Sequence, residues 1–461
     1  MPQQFVDREF ELKSLEEEYR KPRAGFAIVY GRRRVGKTEI LLQFLKGKEG
    51  IYFLADRRGY KENIREFQKV AAPIVKDPMF ERVEFESWYD MFTHLSVLLD
   101  KSRKIVIVID EYPYLIEEGV NEEFQKIWDM ILSKMNVLLV LVGSSVSMME
   151  KAVLFYGAPL YGRRTMQLHV RKLPFIEIKN FFPRYKIEEL IEAYSILDGI
   201  PLYLRQFSDE ITIEENLKRN YFRKDAFLYE EAEFLLREEF REPRKYFSIL
   251  EALAQGKRTF GEIVDTTKMD KSTVSKYVSV LENLHIIETD LPFGVKKSRL
   301  KRYKIADNYL LFWFRYVYPH RTLIEMNRSD ILVDTVKETF DMYVSVVFEK
   351  VIKELLLHKQ EWHDISSWWN RRGEEIDVVA VNKRRKEVLF AEVKWRNRKM
   401  GWTEYEELRR KSELVQGLED YRKKYLLVNK GGFHDKDKLA EEGAELWDLR
   451  KIEEIIGRYW A

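Results

Sequence analysis

Cysteine is absent from the 461 residues, which excludes disulfides, thiolate metal ligands and cysteine nucleophiles together. Histidine is scarce. The seven that occur are not spaced as HExxH or as the histidine pair of a zinc finger, so no histidine-built metal centre is expected. Long apolar runs are also missing. The longest, residues 137–142, is far too short to span a bilayer. The opening MPQQFVDREF is polar and charged, with no apolar stretch behind it of the kind a secretory leader carries. A cytoplasmic protein without membrane attachment is therefore expected. Net charge is only +3, so any case for nucleic acid must come from the local placement of cations.

What is present is a soluble, globular composition, 45 % hydrophobic and 34 % charged. The abundance of Lys, Glu and aromatic residues beside the lack of Cys fits a thermophile. The length calls for several domains. The residues point to four: an ATPase core at 1–172, a helical lid at 173–241, a winged helix at 242–320 and an α/β module at 321–461.

The short apolar run Phe26-Ala-Ile-Val-Tyr30 leads directly into Gly31-Arg32-Arg33-Arg34-Val35-Gly36-Lys37-Thr38. A helical pattern follows. Strand, glycine loop and helix are the context that GxxxxGK[ST] requires. Gly31 and Gly36 let backbone amides wrap a phosphate, and Lys37 is expected to reach the β- and γ-phosphates of ATP. Thr38 is expected to ligate Mg2+ through its hydroxyl. The matching carboxylates stand at the end of Ile105-Val-Ile-Val-Ile-Asp110-Glu111. Asp110 is expected to hold magnesium through water, and Glu111 to polarise the attacking water.

A third apolar strand, residues 136–142, ends in Gly143-Ser144-Ser145. Ser144 or Ser145 fits a γ-phosphate sensor, and the same residues fit a plain Gly-Ser turn. Arg163, after the turn Pro159-Leu-Tyr-Gly, can reach a phosphate in its own or a neighbouring subunit, or stand solvated. The helical pattern after Leu173 reads as a lid over the nucleotide, with Gly199 and Pro201 shaping a turn near the base.

Residues 246–284 read as three helices, the third opening at Asp270 with good capping residues. A basic hairpin follows, which makes a winged helix. Lys271, Ser272, Thr273, Ser275 and Lys276 are expected to face a major groove. Lys296, Lys297, Arg299, Lys301 and Arg302 are expected to face phosphates of double-stranded DNA. Winged helices also dock proteins, so a protein partner stays open. The aromatic stretch 309–316 reads as an internal packing surface between modules.

In the last module a helix carries Glu349, a hairpin strand Asp377, and the next strand Glu392 and Lys394 on one face. Carboxylates around a lysine suit a hard cation, Mg2+ or Mn2+, in outline a phosphodiester-hydrolysis site with Glu349, Asp377 and Glu392 as ligands and Lys394 as the catalytic cation. Arg371, Arg372 and Arg396 make the surroundings favourable to phosphate.

The loop 31–38, strand 105–111, Pro159–Arg163 and Gly199–Pro201 together resemble the archaeal ATPase family, a branch of the AAA-type ATPases near the signal-transduction ATPases with numerous domains. The opening Phe5-Val-Asp-Arg8-Glu9-Phe10-Glu11-Leu12 is similar to that family's amino-terminal box, which implies a place beside the adenine. The resemblance implies ATP binding and hydrolysis through Lys37, Thr38, Asp110 and Glu111. It also implies a carboxyl-terminal domain similar to PD-(D/E)xK nucleases. Many relatives carry asparagine where Ser144 or Ser145 stands. The overall expectation is an ATP-driven, DNA-associated switch or nuclease. The alternative is a regulatory ATPase whose later modules bind a protein, or DNA without cleavage, with self-association open.

Overall fold

The computed structural model describes residues 6–77, 79–100, 102–240, 242–296 and 300–460, without the side chains of 459 and 460. Phe5 of the amino-terminal box and Lys297 and Arg299 of the wing lie outside the described residues. The chain divides into two compact units, one of residues 1–173 with 200–202, the other of 174–199 with 203–461.

The first unit is built on five parallel strands: β1 (Gly25–Tyr30), β2 (Gly50–Leu54), β3 (Ile105–Asp110), β4 (Val137–Gly143) and β5 (Met166–His169). Their order is β2-β3-β4-β1-β5. Every residue of β1, β3 and β4 is buried, as expected of central parallel strands covered by helices on both faces. β4 lies between β1 and β3, so the chain leaves β1 and crosses two strands before it pairs again as β2 and β3. The carboxyl end of β1 is thus a switch point of the topology, where open α/β sheets form their ligand crevice. Trp88, Phe67, Phe92 and Phe124 pack edge-on and tilted against each other in the core of this unit.

In the second unit, the helices Ile187–Leu197, Ile213–Asn220 and Phe227–Glu239 form the helical lid segment. The winged helix follows as Pro243–Ala254, Phe260–Thr267 and Lys271–Asn283, with the antiparallel pair β6 (Ile287–Asp290) and β7 (Arg302–Ile305). Local chemistry sets its helix starts. Thr259 and Glu262 form a reciprocal capping box, and Asp270 accepts from the Thr273 amide. The aromatic stretch is an internal packing surface, as expected. Tyr309 donates to Leu228 O and Trp313 Nε1 to Tyr229 O, both on a lid helix.

The last part opens with the 30-residue helix Ser329–His358, which carries Glu349 as expected. Strands β8 (Asp364–Trp369), β9 (Glu375–Asn382), β10 (Glu387–Lys394), β11 (Arg422–Asn429) and β12 (Glu445–Trp447) follow. Their order is β12-β11-β10-β9-β8, antiparallel from β8 to β10 and parallel from β10 to β12. The helix Trp402–Ser412 between β10 and β11 supplies the crossover that a parallel pair needs. Among the described residues no helix is long and apolar enough to cross a membrane.

Candidate functional site

The loop 31–38 joins β1 to the helix Lys37–Leu45. Gly31 and Gly36 have φ of +155° and +93°. At Gly31 the constraint is also steric, because a Cβ there would sit 2.1 Å from the Val170 carbonyl oxygen. Val35 is buried, and its carbonyl accepts from Arg8 Nη2 at 3.0 Å. The same nitrogen donates to Arg171 O at 3.0 Å, so Arg8 ties the loop to the chain beyond β5. Lys37 is buried and donates to Gly31 O at 2.8 Å and Arg32 O at 3.0 Å. Burial lowers its ammonium to about 8, against the opposing pull of Glu111 and Asp110. Arg33 Nη2 lies 3.5 Å from the Tyr114 hydroxyl, and Arg34 takes a left-handed φ of 70°.

β3 delivers Asp110 to the same place. Thr38 Oγ1 donates to Asp110 Oδ2 at 2.9 Å, and the Glu111 amide to Oδ1 at 2.8 Å. A hydroxyl and a carboxylate that converge in this way are hard oxygen donors, and they fit magnesium. Glu111 has a φ of 52°, and its Oε2 accepts from Ser144 Oγ at 2.7 Å. Ser145 starts the short helix Val146–Met149. Pro201 opens the helix Pro201–Leu204, and residues 200–202 group with the first unit. Arg163 is held elsewhere: its guanidinium grips Asp129 through Nε at 2.8 Å and Nη2 at 2.7 Å.

One group at this site was missed from sequence. The Tyr52 hydroxyl of β2 donates to Asp110 Oδ2. Its signal was the alternation of Gly50-Ile-Tyr-Phe-Leu54, whose burial alternates as an edge strand's does.

The winged helix only partly presents the surface expected of it. Lys271, Ser272, Ser275 and Lys276 are exposed on the third helix, whereas Thr273 is half-buried and donates to its cap, Asp270, at 2.6 Å. The wing cations that the structure describes differ from expectation. Lys301 is paired with Glu282 at 2.8 Å. Arg302 pairs with Glu375 at 2.8 Å and lies over the Trp369 ring, 4.4 Å from its centroid. Trp369 Nε1 in turn donates to Leu300 O at 2.9 Å. The foot of the wing is docked on the last sheet, while Lys296 is exposed.

In that sheet Lys394 Nζ bonds Asp377 Oδ2 at 2.9 Å and Glu392 Oε1 at 2.7 Å. The Val393 amide also donates to Asp377 Oδ2, at 2.8 Å. Burial opposes the charge of Lys394, but Asp377 and Glu392 outweigh it and hold the ammonium above the usual lysine range. Burial, with Asp377 nearby, pushes the Glu349 carboxyl up to about 8 and raises that of Glu392. Among the described residues no group of three acidic or histidine side chains is placed to hold a metal ion. The expected ligand set Glu349, Asp377 and Glu392 is not gathered into such a group in this arrangement. Lys394 neutralises two of the carboxylates, and burial favours the protonated form of the third.

Residues 5–207 match the ATPase domain found predominantly in Archaea. Residues 247–289 match bacterial regulatory proteins of the arsR family, and 313–409 match archaeal and bacterial proteins of unknown function. An uncharacterized protein of Methanocaldococcus jannaschii is 40% identical over 438 residues, which cover 92% of this chain and 95% of that protein. An uncharacterized ATP-binding protein of the same organism is 47% identical over 45 residues, 10% of this chain and 76% of that one. Among solved structures, the Walker-type ATPase of Pyrococcus abyssi aligns with a TM-score of 0.51 at 25% identity, covering 68% of this chain and 96% of its own. A match through nine-tenths of the length goes beyond a shared motif: the chain belongs to the P-loop ATPase family found predominantly in Archaea, and it is an ATP-hydrolysing enzyme.

Proposed function

We propose that this ATPase is a regulatory switch that engages double-stranded DNA through its winged helix and does not cleave it. The observation that carries the reading is the exposed polar face Lys271, Ser272, Ser275 and Lys276 on a helix with a firm cap, in the same chain as the nucleotide site. Four modules, at 1–172, 173–241, 242–320 and 321–461, would share the work. In the nucleotide site Lys37 would neutralise the β- and γ-phosphates, and the loop amides of residues 31–36 would cradle them. Thr38 and Asp110 would hold magnesium, which supplies positive charge against the triphosphate. Glu111 would accept the proton of the attacking water, with Ser144 or Ser145 reporting the γ-phosphate. Arg163 would have to leave Asp129 to reach a phosphate, in its own subunit or in a second copy. Pro201 would shape the nucleotide's surroundings.

The test is ATP turnover with and without duplex DNA, alongside DNA binding at several salt concentrations. Stimulation by DNA that disappears in Lys271→Glu/Lys276→Glu supports the reading. Stimulation only by a protein partner sinks it.

A second reading has an observation of its own. Asp377, Glu392 and Lys394 lie together on neighbouring strands, followed by a crossover helix, an order that fits a PD-(D/E)xK nuclease. In that reading Asp377 and Glu392, with Glu349 behind them, would take Mg2+ or Mn2+ once Lys394 swings away. Cleavage of linear and circular duplex DNA that is lost in Lys394→Ala would establish it. No cleavage in either metal, with or without ATP, would leave the switch.

A further inference from the structure

Every oxygen of the Asp110 carboxylate is engaged. Oδ1 accepts from the Glu111 amide at 2.8 Å, and Oδ2 from Thr38 Oγ1 at 2.9 Å. The additional donor on Oδ2 is the Tyr52 hydroxyl, from the neighbouring strand. In the parallel register Leu54 stands opposite Asp110, and Tyr52 is two residues before Leu54. The period of two along a strand therefore puts the Tyr52 ring on the same face of the sheet as the Asp110 carboxylate. The next residue, Phe53, points the other way and is buried against Phe67 and Trp88. β2 thus turns Ile51 and Phe53 to the core and presents Tyr52, with a hydroxyl at its tip, to the acid.

A carboxylate held only through Oδ1 can turn about its Cβ–Cγ bond. Two donors on Oδ2, one from the helix Lys37–Leu45 and one from β2, remove that freedom and set the direction of the lone pairs that remain. Thr38, one of these donors, is itself an expected magnesium ligand, whereas Tyr52 stands on β2, outside the phosphate loop.

We propose that Tyr52 is a positioning residue of the ATPase reaction, whose hydroxyl holds the Asp110 carboxylate in the orientation that lets it and Thr38 share one magnesium ion. In this role Tyr52 does not itself ligate nucleotide or metal. It acts through Asp110, as the outer partners of metal ligands do, and loss of such a partner costs about 10- to 100-fold in metal affinity or activity.

The test is Tyr52→Phe in the full chain, which keeps the ring and its packing. A fluorescent ATP analogue is titrated first in EDTA and then against magnesium. The expected result is metal-free nucleotide affinity within about twofold of wild type, and a magnesium half-saturation raised about 10-fold. In an Asp110→Asn background the same change is expected to add nothing to the half-saturation. Three results overturn the proposal: an unchanged half-saturation, an equal loss of metal-free nucleotide binding, or a full additional shift in the Asp110→Asn background.

Discussion

Ser144 Oγ donates to Glu111 Oε2 at 2.7 Å, which ties the tip of β4 to the residue that follows β3. Glu111 adopts a left-handed φ of 52°, uncommon for a residue with a side chain, and its carboxylate meets Ser144 from that backbone. Glu111→Gln is expected to lower turnover at least about 100-fold while ATP binding persists, as loss of a general base does. Ser144→Ala is expected to lower kcat about 10-fold with little change in KM, because it frees the base without touching the phosphate loop. Steady-state kinetics with a separate nucleotide-binding measurement check both. A rise in KM at constant kcat would show that Ser144 acts in binding instead.

The two loop glycines are expected to differ in their tolerance of alanine. At Gly31 the new Cβ meets backbone, the Val170 carbonyl at 2.1 Å, and no side chain can swing away to relieve it. At Gly36 nothing lies within 4 Å, so only the strained φ of +93° is at stake. Gly36→Ala is expected to cost about 1–3 kcal/mol and Gly31→Ala more than that. Thermal melts of the two variants decide it, and equal losses would contradict the steric argument.

The wing foot is expected to matter more for stability than for DNA. Arg302 is committed to Glu375 and Trp369, so Arg302→Ala is expected to leave DNA affinity within about twofold and to cost about 1 kcal/mol of stability. Lys271→Ala/Lys276→Ala is expected to reduce the slope of log K against log salt by about 2, the signature of two cations withdrawn from the DNA. DNA titrations across a salt series, paired with melts, separate the two.

Glu192 gives a pH dependence of stability. Burial, followed by the repulsion of Glu188, pushes its carboxyl up to about 7 despite the attraction of Lys430, while Asp341 and Glu189 add to the repulsion. An unfolded chain releases this proton near 4.5, the folded chain near 7. Between these values the folded state binds more protons, so this group's contribution to stability falls as pH rises from 4.5 to 7 and stays low above it. Glu192→Gln is expected to be near neutral at about pH 4.5 and stabilising by about 1–3 kcal/mol at about pH 8. Urea unfolding at the two pH values checks the sign.

The parts of this protein that could be read from the chain are those whose function is local. β1, β3 and β4 announce themselves because a strand covered on both faces must be apolar throughout. The phosphate loop is legible for the same kind of reason. Its glycines, Lys37 and Thr38 fall within eight consecutive positions, residues 31–38. The caps at Thr259 and Asp270 bond within three residues and mark the helix starts in advance. β2 and β5, at the sheet edges with mixed burial, carried no such mark.

Tertiary structure decided which partners the polar groups found. Lys301 and Arg302 read as free cations of a wing, but their partners Glu282 and Glu375 lie 19 and 73 residues away. The strand that brings Tyr52 to Asp110, 58 residues distant, is chosen by sheet order. Asp377 and Glu392 were placed correctly on adjacent strands, yet their engagement by Lys394 depends on packing and burial around β9 and β10. The physical reason is common to all three. Backbone geometry and contiguous motifs are set by neighbours along the chain, whereas a buried or half-buried charge takes the nearest opposite charge or donor in space. Only the fold determines which one that is.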